Sequence, residues 1–223
     1  LPLSRFYRNA PESALSEMLV FDHALISTIC ALSLGTLAGY AFARFRFPYK
    51  NITFLGMMLL RAVPGIALSL PLFVLFARLG LSDTVTGMII VYTALNIPFT
   101  AWLMDGFFRA IPKELEDAAR IDGCSHWGAF LRVELPLALP GVAASAIFAF
   151  LTAWNEFALS SIITRTPASR TFPPGLFEFT GQFVSDWRGM CAMSVMMLIP
   201  AILFVALVQR QLMEGLIAGA TKE

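Results

Sequence analysis

"KELEDAARIDGCSHWGAFLRVELPLALPG", residues 113–141, decides how this chain is read. It gathers Lys113, Glu114, Glu116, Asp117, Arg120, Asp122, Arg132 and Glu134 in a chain that is 57% hydrophobic and only 14% charged. A mean hydropathy of +0.72 lies well outside the balance of soluble domains and implies a polytopic membrane protein. The charged stretch is the exception, and its local signals are those of two short helices. Pro112 suits the first helical turn, Glu114, Glu116 and Asp117 complement the positive end of the helix dipole, and Gly123 stands where a left-handed C-cap belongs. Leu115, Ala118, Ala119 and Asp122 recur at helical spacing, which leaves a small, apolar face for another backbone to approach. Ser125 can cap a second amphipathic helix, "HWGAFLRVEL", running to Pro136 and into the next apolar run. The two helices meet at Gly123 in a bent elbow on the membrane surface. A plain connection needs only a handful of residues, so the length and the caps favour partner docking over a solvated loop.

Outward from the elbow, five windows hold the ~20 mostly apolar residues that a span needs: 23–43, 52–77, 84–104, 137–163 and 190–212. Continuous apolar runs dotted with Gly and Pro point to helices rather than barrel strands, and Pro64, Pro71 and Pro98 predict kinks. One set of connections carries Arg44, Arg46, Lys50, Arg109, Lys113, Arg120, Arg132, Arg210 and Lys222; the other carries Arg5, Arg8, Arg78, Arg165, Arg170 and Arg188. The excess places the first set, with the elbow, in the cytoplasm. The N-terminal segment is then outside, which calls for a further span upstream of Leu1. The expected fold is an all-α polytopic bundle of five spans here and six in the intact subunit, a single transmembrane domain over 1–223 with a cytoplasmic loop at 105–136.

A net charge of +1 without a dense basic run argues against a nucleic-acid partner. Cys30, Cys124 and Cys191 are odd in number and widely spaced, so they support neither a disulfide framework nor a metal knuckle. No metal ligand set and no catalytic residue is assigned. "AWNEF" sets Trp154, Asn155 and Glu156 on an apolar run. A carboxylate there faces a water-filled cavity or a partner, or lies near the outer interface. Aromatic faces beside amide and carboxylate groups suit sugars. Arg61 either snorkels to the interface or lines a helix contact. Residues 164–189 form the longest outward connection and carry Phe172, Phe177, Phe179 and Trp187, a composition that anchors at bilayer surfaces. In the tail "EGLIAGATKE", Gly215 and Gly219 flank Leu216 and Ile217, which suits an extended or loosely turned segment lying against another surface.

The elbow resembles the EAA motif of ABC importer permeases, which reads Glu-Ala-Ala, three residues, Gly, and later Ile-x-Leu-Pro. Asp117, Ala118, Ala119, Gly123, Val133, Leu135 and Pro136 stand at the matching positions, with Asp117 for Glu and Val133 for Ile as departures. "AGYAFARFRFPYK", "RLGLSDT", "IPFTAWLMDGFFRAIPKELEDAARIDG", "LTAWNEF" and "QRQLMEGLIAGATKE" extend the likeness over nearly the whole chain, toward the carbohydrate-uptake branch and the smaller-subunit type of the maltose permease. The resemblance implies a multi-pass subunit of a bacterial cytoplasmic membrane importer moving a sugar or glycoside by alternating access. It implies a second permease subunit, a homodimeric ATP-binding subunit that holds ATP and Mg, and an extracytoplasmic sugar-binding protein. Glu114, Asp117, Ala118, Ala119, Asp122 and Gly123 would dock the ATPase. Trp154, Asn155 and Glu156 would line the substrate pathway, the loop at 164–189 would reach toward the binding protein, and the tail with Gly215, Gly219 and Lys222 would insert between the ATP-binding subunits. No G-x-x-x-x-G-K-[ST] is present, so ATP hydrolysis falls to a partner and this chain binds no cofactor. The competing readings are a permease for another small solute and an intramembrane enzyme. His23 and His126 have no H-E-x-x-H or G-x-S-x-G to organise them, and no filter or charged ring supports an autonomous channel.

Overall fold

The computed structural model describes residues 10–166, 169–179 and 186–220 and, within those ranges, the side chains of residues 21–211 apart from Glu178. Arg5, Arg8 and Lys222 lie outside them. Among the described residues every regular element is helical, as backbone in lipid requires. In chain order these are α1 (Ala10–Arg44), α2 (Lys50–Ala62), α3 (Gly65–Leu79), α4 (Val85–Ala110), α5 (Lys113–Ile121), α6 (His126–Leu137), α7 (Leu139–Trp154), α8 (Ser160–Ile163), α9 (Phe172–Leu176) and α10 (Trp187–Ala220). Phe21–Arg44, Val85–Ala110 and Trp187–Gln211 are each long and apolar enough to cross a membrane, and α2 with α3 and α6 with α7 make up to two more spans, each broken.

Two of the expected spans are therefore corrected. The window 52–77 is not one kinked helix but two, parted at Val63–Pro64, because Pro64 lacks an amide hydrogen and drives the residue before it out of the helical region. The window 137–163 ends its helix at Trp154. α6 and α7 meet at Ala138 with a bend of 74°, between Pro136 and Pro140. Pro71 and Pro98 do remain inside α3 and α4. Near Pro98, Arg61 donates from Nη1 to the Leu95 carbonyl at 3.1 Å and lies over the Phe99 ring at 4.8 Å. It lines a helix contact, which settles its two readings.

Among the described residues the chain divides into two compact units, one drawn from residues 10–28, 63–94 and 150–204 and one from residues 29–62, 95–149 and 205–220. The first is centred on aromatic rings. Phe150 stacks on Phe204 at 4.0 Å and on Trp154 at 5.5 Å, and Trp154 meets Phe21 and Phe172. The second packs Tyr40, Met104, Phe108, Ile111, Phe130 and Ala138 together. There α1 and α4 come close because Gly35 and Gly39 face Thr100 and Met104. A Cβ placed on Gly39 would lie 2.6 Å from Met104 Cβ and 2.9 Å from backbone atoms of Ala101 and Asp105. Small residues allow such an approach where helices have no hydrophobic drive to associate in lipid.

Candidate functional site

Two caps build the elbow within the second unit. Pro112 is the N-cap of α5, with φ −56 and ψ 130, one place ahead of the first turn. At the other end Gly123 has φ +91, its N–H bonds Arg120 O at 3.1 Å, and the Cys124 N–H reaches back to Ala119 O at 3.0 Å. That pair of bonds satisfies the last carbonyls around a left-handed residue, which glycine adopts without the Cβ penalty. Ser125 then accepts from Gly128 N–H at 3.1 Å and starts α6. α6 is not a uniform α-helix. Phe130–Glu134 form a π-turn in which Leu135 N–H bonds Phe130 O, five residues back. Phe130 and Glu134, at its two ends, are both buried.

The residues expected to dock a partner sort by exposure. Glu114, Leu115, Asp117, Ala118, Asp122 and Gly123 are exposed and Ala119 is half-buried, while Ile121 is 86% exposed and Trp127 55%. Glu116 points the other way, and here the sequence reading missed a charge network. Arg44, at the end of α1, donates from Nε to Glu134 Oε1 at 2.8 Å and from Nη2 to the Ile111 carbonyl at 3.0 Å, and its Nε lies 3.4 Å from Glu116 Oε2. Tyr40 donates to Glu116 Oε1 at 3.1 Å, and His126 Nδ1 is 3.5 Å from the same oxygen. The side chains of Arg44, Glu116 and Glu134 are 8%, 5% and 0% exposed. Ion pairs this deeply buried gain their attraction only by holding geometry. The available signal was Glu134 itself, four residues after Phe130 on the apolar face of α6, since a buried carboxylate needs a partner.

Residues 31–216 match the model of the family described as binding-protein-dependent transport system inner membrane component. The chain belongs to that family. It is 39% identical over 200 residues, 89% of this chain and 73% of the relative, to the trehalose transport system permease protein SugB of Mycobacterium tuberculosis. It is 35% identical over 202 residues, 91% of this chain and 71% of the relative, to the sulfoquinovosyl glycerol transport system permease protein SmoH of Agrobacterium fabrum. A chain of the MetNI methionine ABC transporter, in an inward-facing conformation, shares the fold with a TM-score of 0.74 at 18% identity, covering 95% of this chain and 98% of that one. This is an ABC importer permease, a multi-pass membrane protein rather than an enzyme.

The predicted pathway residues of the permease, Trp154, Asn155 and Glu156, belong to the first unit. Trp154 ends α7, is 2% exposed and donates from Nε1 to Met197 O at 3.2 Å; it is a core residue. Asn155 is exposed, and its Nδ2 bonds back to Leu151 O at 2.9 Å. Glu156 is not on the helix, as "AWNEF" suggested. Its carboxylate accepts from Leu159 N–H at 2.8 Å and Ser160 N–H at 3.0 Å, and Tyr92 donates to it at 3.4 Å. Polar side chains that bond the local backbone stop helices, so Asn155 and Glu156 end α7 and begin the turn to α8. In the connection beyond, Phe172 is buried whereas Phe177 and Trp187 are exposed, so Phe172 packs the core instead of anchoring at a surface. Asp83 ties that connection down by accepting from Arg165 N–H at 2.7 Å, Thr166 N–H at 2.9 Å and the Ser169 hydroxyl. Burial pushes its carboxyl up, but the bonds from Ser169, Thr166 and Arg165 prevail and hold it down at about 2. The tail is also corrected: Gly215 and Gly219 sit in α10, which runs helically to Ala220, because the last span's hydrogen-bond ladder continues through residues that favour helix, Leu212, Met213 and Glu214 among them.

Proposed function

We propose that this permease translocates a sugar or glycoside through the bacterial cytoplasmic membrane as one half of a pathway completed by a second permease subunit. An extracytoplasmic sugar-binding protein delivers the substrate, and a homodimeric ATP-binding subunit supplies hydrolysis, holding ATP and Mg itself. The carbohydrate names of SugB and SmoH support the substrate class. The observation that carries the docking role is the division of α5 into two faces. Glu116 is buried against Arg44, while Glu114, Asp117, Ala118, Asp122 and Ile121 face away and are exposed. Such an element is anchored on one side and open to a partner on the other. The cytoplasmic loop at 105–136 thus presents α5 to the ATP-binding subunit, with Gly123 setting the turn. Along the pathway, Asn155 is the exposed member of its group, while Trp154 packs in the core and Glu156 holds the turn that follows. The end of α10, with Gly215, Gly219 and the following Lys222, reaches the ATP-binding dimer.

An Ile121→Cys variant should cross-link to the ATP-binding subunit in the assembled transporter. Gly123→Val places a β-branched residue at φ +91, at a strain of about 1–3 kcal/mol. It should uncouple transport from hydrolysis while leaving the subunit in the membrane. No cross-link at Ile121 together with normal stimulated hydrolysis in Gly123→Val would remove the docking role.

A further inference from the structure

We propose that Arg44 is the positioning residue that locks the elbow to α1, and that coupling between the outer face of the permease and ATP hydrolysis depends on it; this rests on the elbow being the docking element. One guanidinium holds three separate segments of the second unit: the Ile111 carbonyl ahead of α5, Glu116 within α5, and Glu134 in the π-turn of α6. Tyr40, one turn earlier on α1, adds a second grip on Glu116 at 3.1 Å. α1 therefore holds both helices of the elbow directly, through side chains, rather than through the polypeptide links at either end. The grip is stiff for a physical reason. Glu116 Oε2 and Glu134 Oε2 accept no hydrogen bond among the described residues, and the Arg44 guanidinium lies within ion-pair distance of both carboxylates. A displacement of α5 that left α1 behind would strand one of them without its counterion, and a stranded buried charge is strongly unfavourable. A push on the elbow is thus passed on to α1 instead of being absorbed at the loop. Arginine is required for this, because its planar fork reaches three acceptors at once and the compact ammonium of lysine does not.

The test uses the complete transporter in lipid nanodiscs, with ATP hydrolysis measured with and without its binding protein. Arg44→Gln should leave basal hydrolysis within about twofold of wild type and lower the binding-protein-stimulated part by about tenfold. Glu134→Gln should act in the same direction. Arg44→Lys, which keeps the charge and loses the fork, should lower stimulation by about fivefold. The charge exchange Arg44→Glu with Glu134→Arg retains one cation and two carboxylates and should restore at least about half of the stimulation. A residue that merely supports folding would lower basal and stimulated hydrolysis together, in proportion to assembled complex, and that result overturns the proposal. Full stimulation in Arg44→Gln overturns it as well. If Arg44→Gln does not assemble, Arg44→Lys decides, and undiminished stimulation in that variant refutes the proposal. Cross-linking through Ile121→Cys separates the two readings: an intact cross-link with normal stimulation in the Arg44 variants removes this proposal alone, and a missing cross-link removes the docking role beneath it.

Discussion

Replacing Gly39 by alanine tests the close approach of α1 and α4. The added methyl carbon would sit 2.6 Å from Met104 Cβ, 2.9 Å from Ala101 O and 2.9 Å from Asp105 N. Two of these three neighbours are backbone, so no change of rotamer relieves the overlap, and the helices must part by roughly 1 Å to reach ordinary contact. Overpacking of this kind costs about 1–3 kcal/mol, against which alanine regains about 0.5–1 kcal/mol of helix propensity. The net expectation is a loss of up to about 2.5 kcal/mol, near the upper end because the clash is with main chain. Gly106, on the same α4, is the internal control: a Cβ there meets nothing within 4 Å, so Gly106→Ala keeps only the propensity gain of about 0.5–1 kcal/mol. The two alanine variants should differ by roughly tenfold to a hundredfold in folded-to-unfolded ratio, with opposite signs about wild type. Detergent-solubilised permease carrying a fluorescent fusion, heated in steps and scored for the monodisperse fraction by size exclusion, measures the order directly. If Gly39→Ala survives heating as well as wild type, or if both variants shift the same way, the packing account is wrong.

Ser125→Ala should lose the bond to Gly128 N–H and cost about 0.5–2 kcal/mol at the start of α6, seen as a lower midpoint in the same heating series; no change would mean that the cap is idle. Glu156→Gln keeps size but loses the charge that accepts from Leu159 and Ser160, so it should loosen the turn between α7 and α8, and faster proteolysis near residues 155–160 with unaltered uptake would assign the residue to structure and not to substrate contact. Asp83 has a carboxyl held down at about 2, so its stabilising contribution is complete above its ordinary value near 4 and is lost as pH falls through about 2. Pepsin should therefore cut the connection at 164–170 progressively faster from about pH 4 to 2 in wild type, relative to an unfolded control, and at a pH-independent relative rate in Asp83→Asn; identical profiles would contradict the assignment.

What the sequence made legible was local. Gly123 and Ser125 announce a stop and a start within a few residues of each other, and both caps form as their spacing implies, because each depends only on neighbouring backbone. Pro64 announced a disturbance but not its size, since whether a proline kinks or divides a helix depends on what packs beside it. The Arg44, Glu116 and Glu134 network was not legible. Its members lie 72 and 90 positions from Arg44 in the chain, and no periodicity connects them. Glu156 shows the opposite failure: the residue was conspicuous as a carboxylate in an apolar run, but its bonds are to backbone amides three and four residues on, a role that any helix start can give an acid. The glycines of the tail suggest an extended or loosely turned segment, whereas the helix of the last span runs on through them to Ala220.

The π-turn at Phe130–Glu134 gives the elbow tolerance in chain length where it has little in residue identity. One residue more than a regular helix would hold is accommodated there, and each residue of an α-helix corresponds to about 100° of rotation. Removing a single residue from this turn would restore regular winding while leaving the helix before and after it nearly unrotated, because the wide turn and the regular turn each complete about one revolution. Family members whose sequences are one residue shorter at this point can therefore still hold a carboxylate against the arginine, so a gap of one in an otherwise similar stretch carries less structural meaning here than the loss of Glu134 itself.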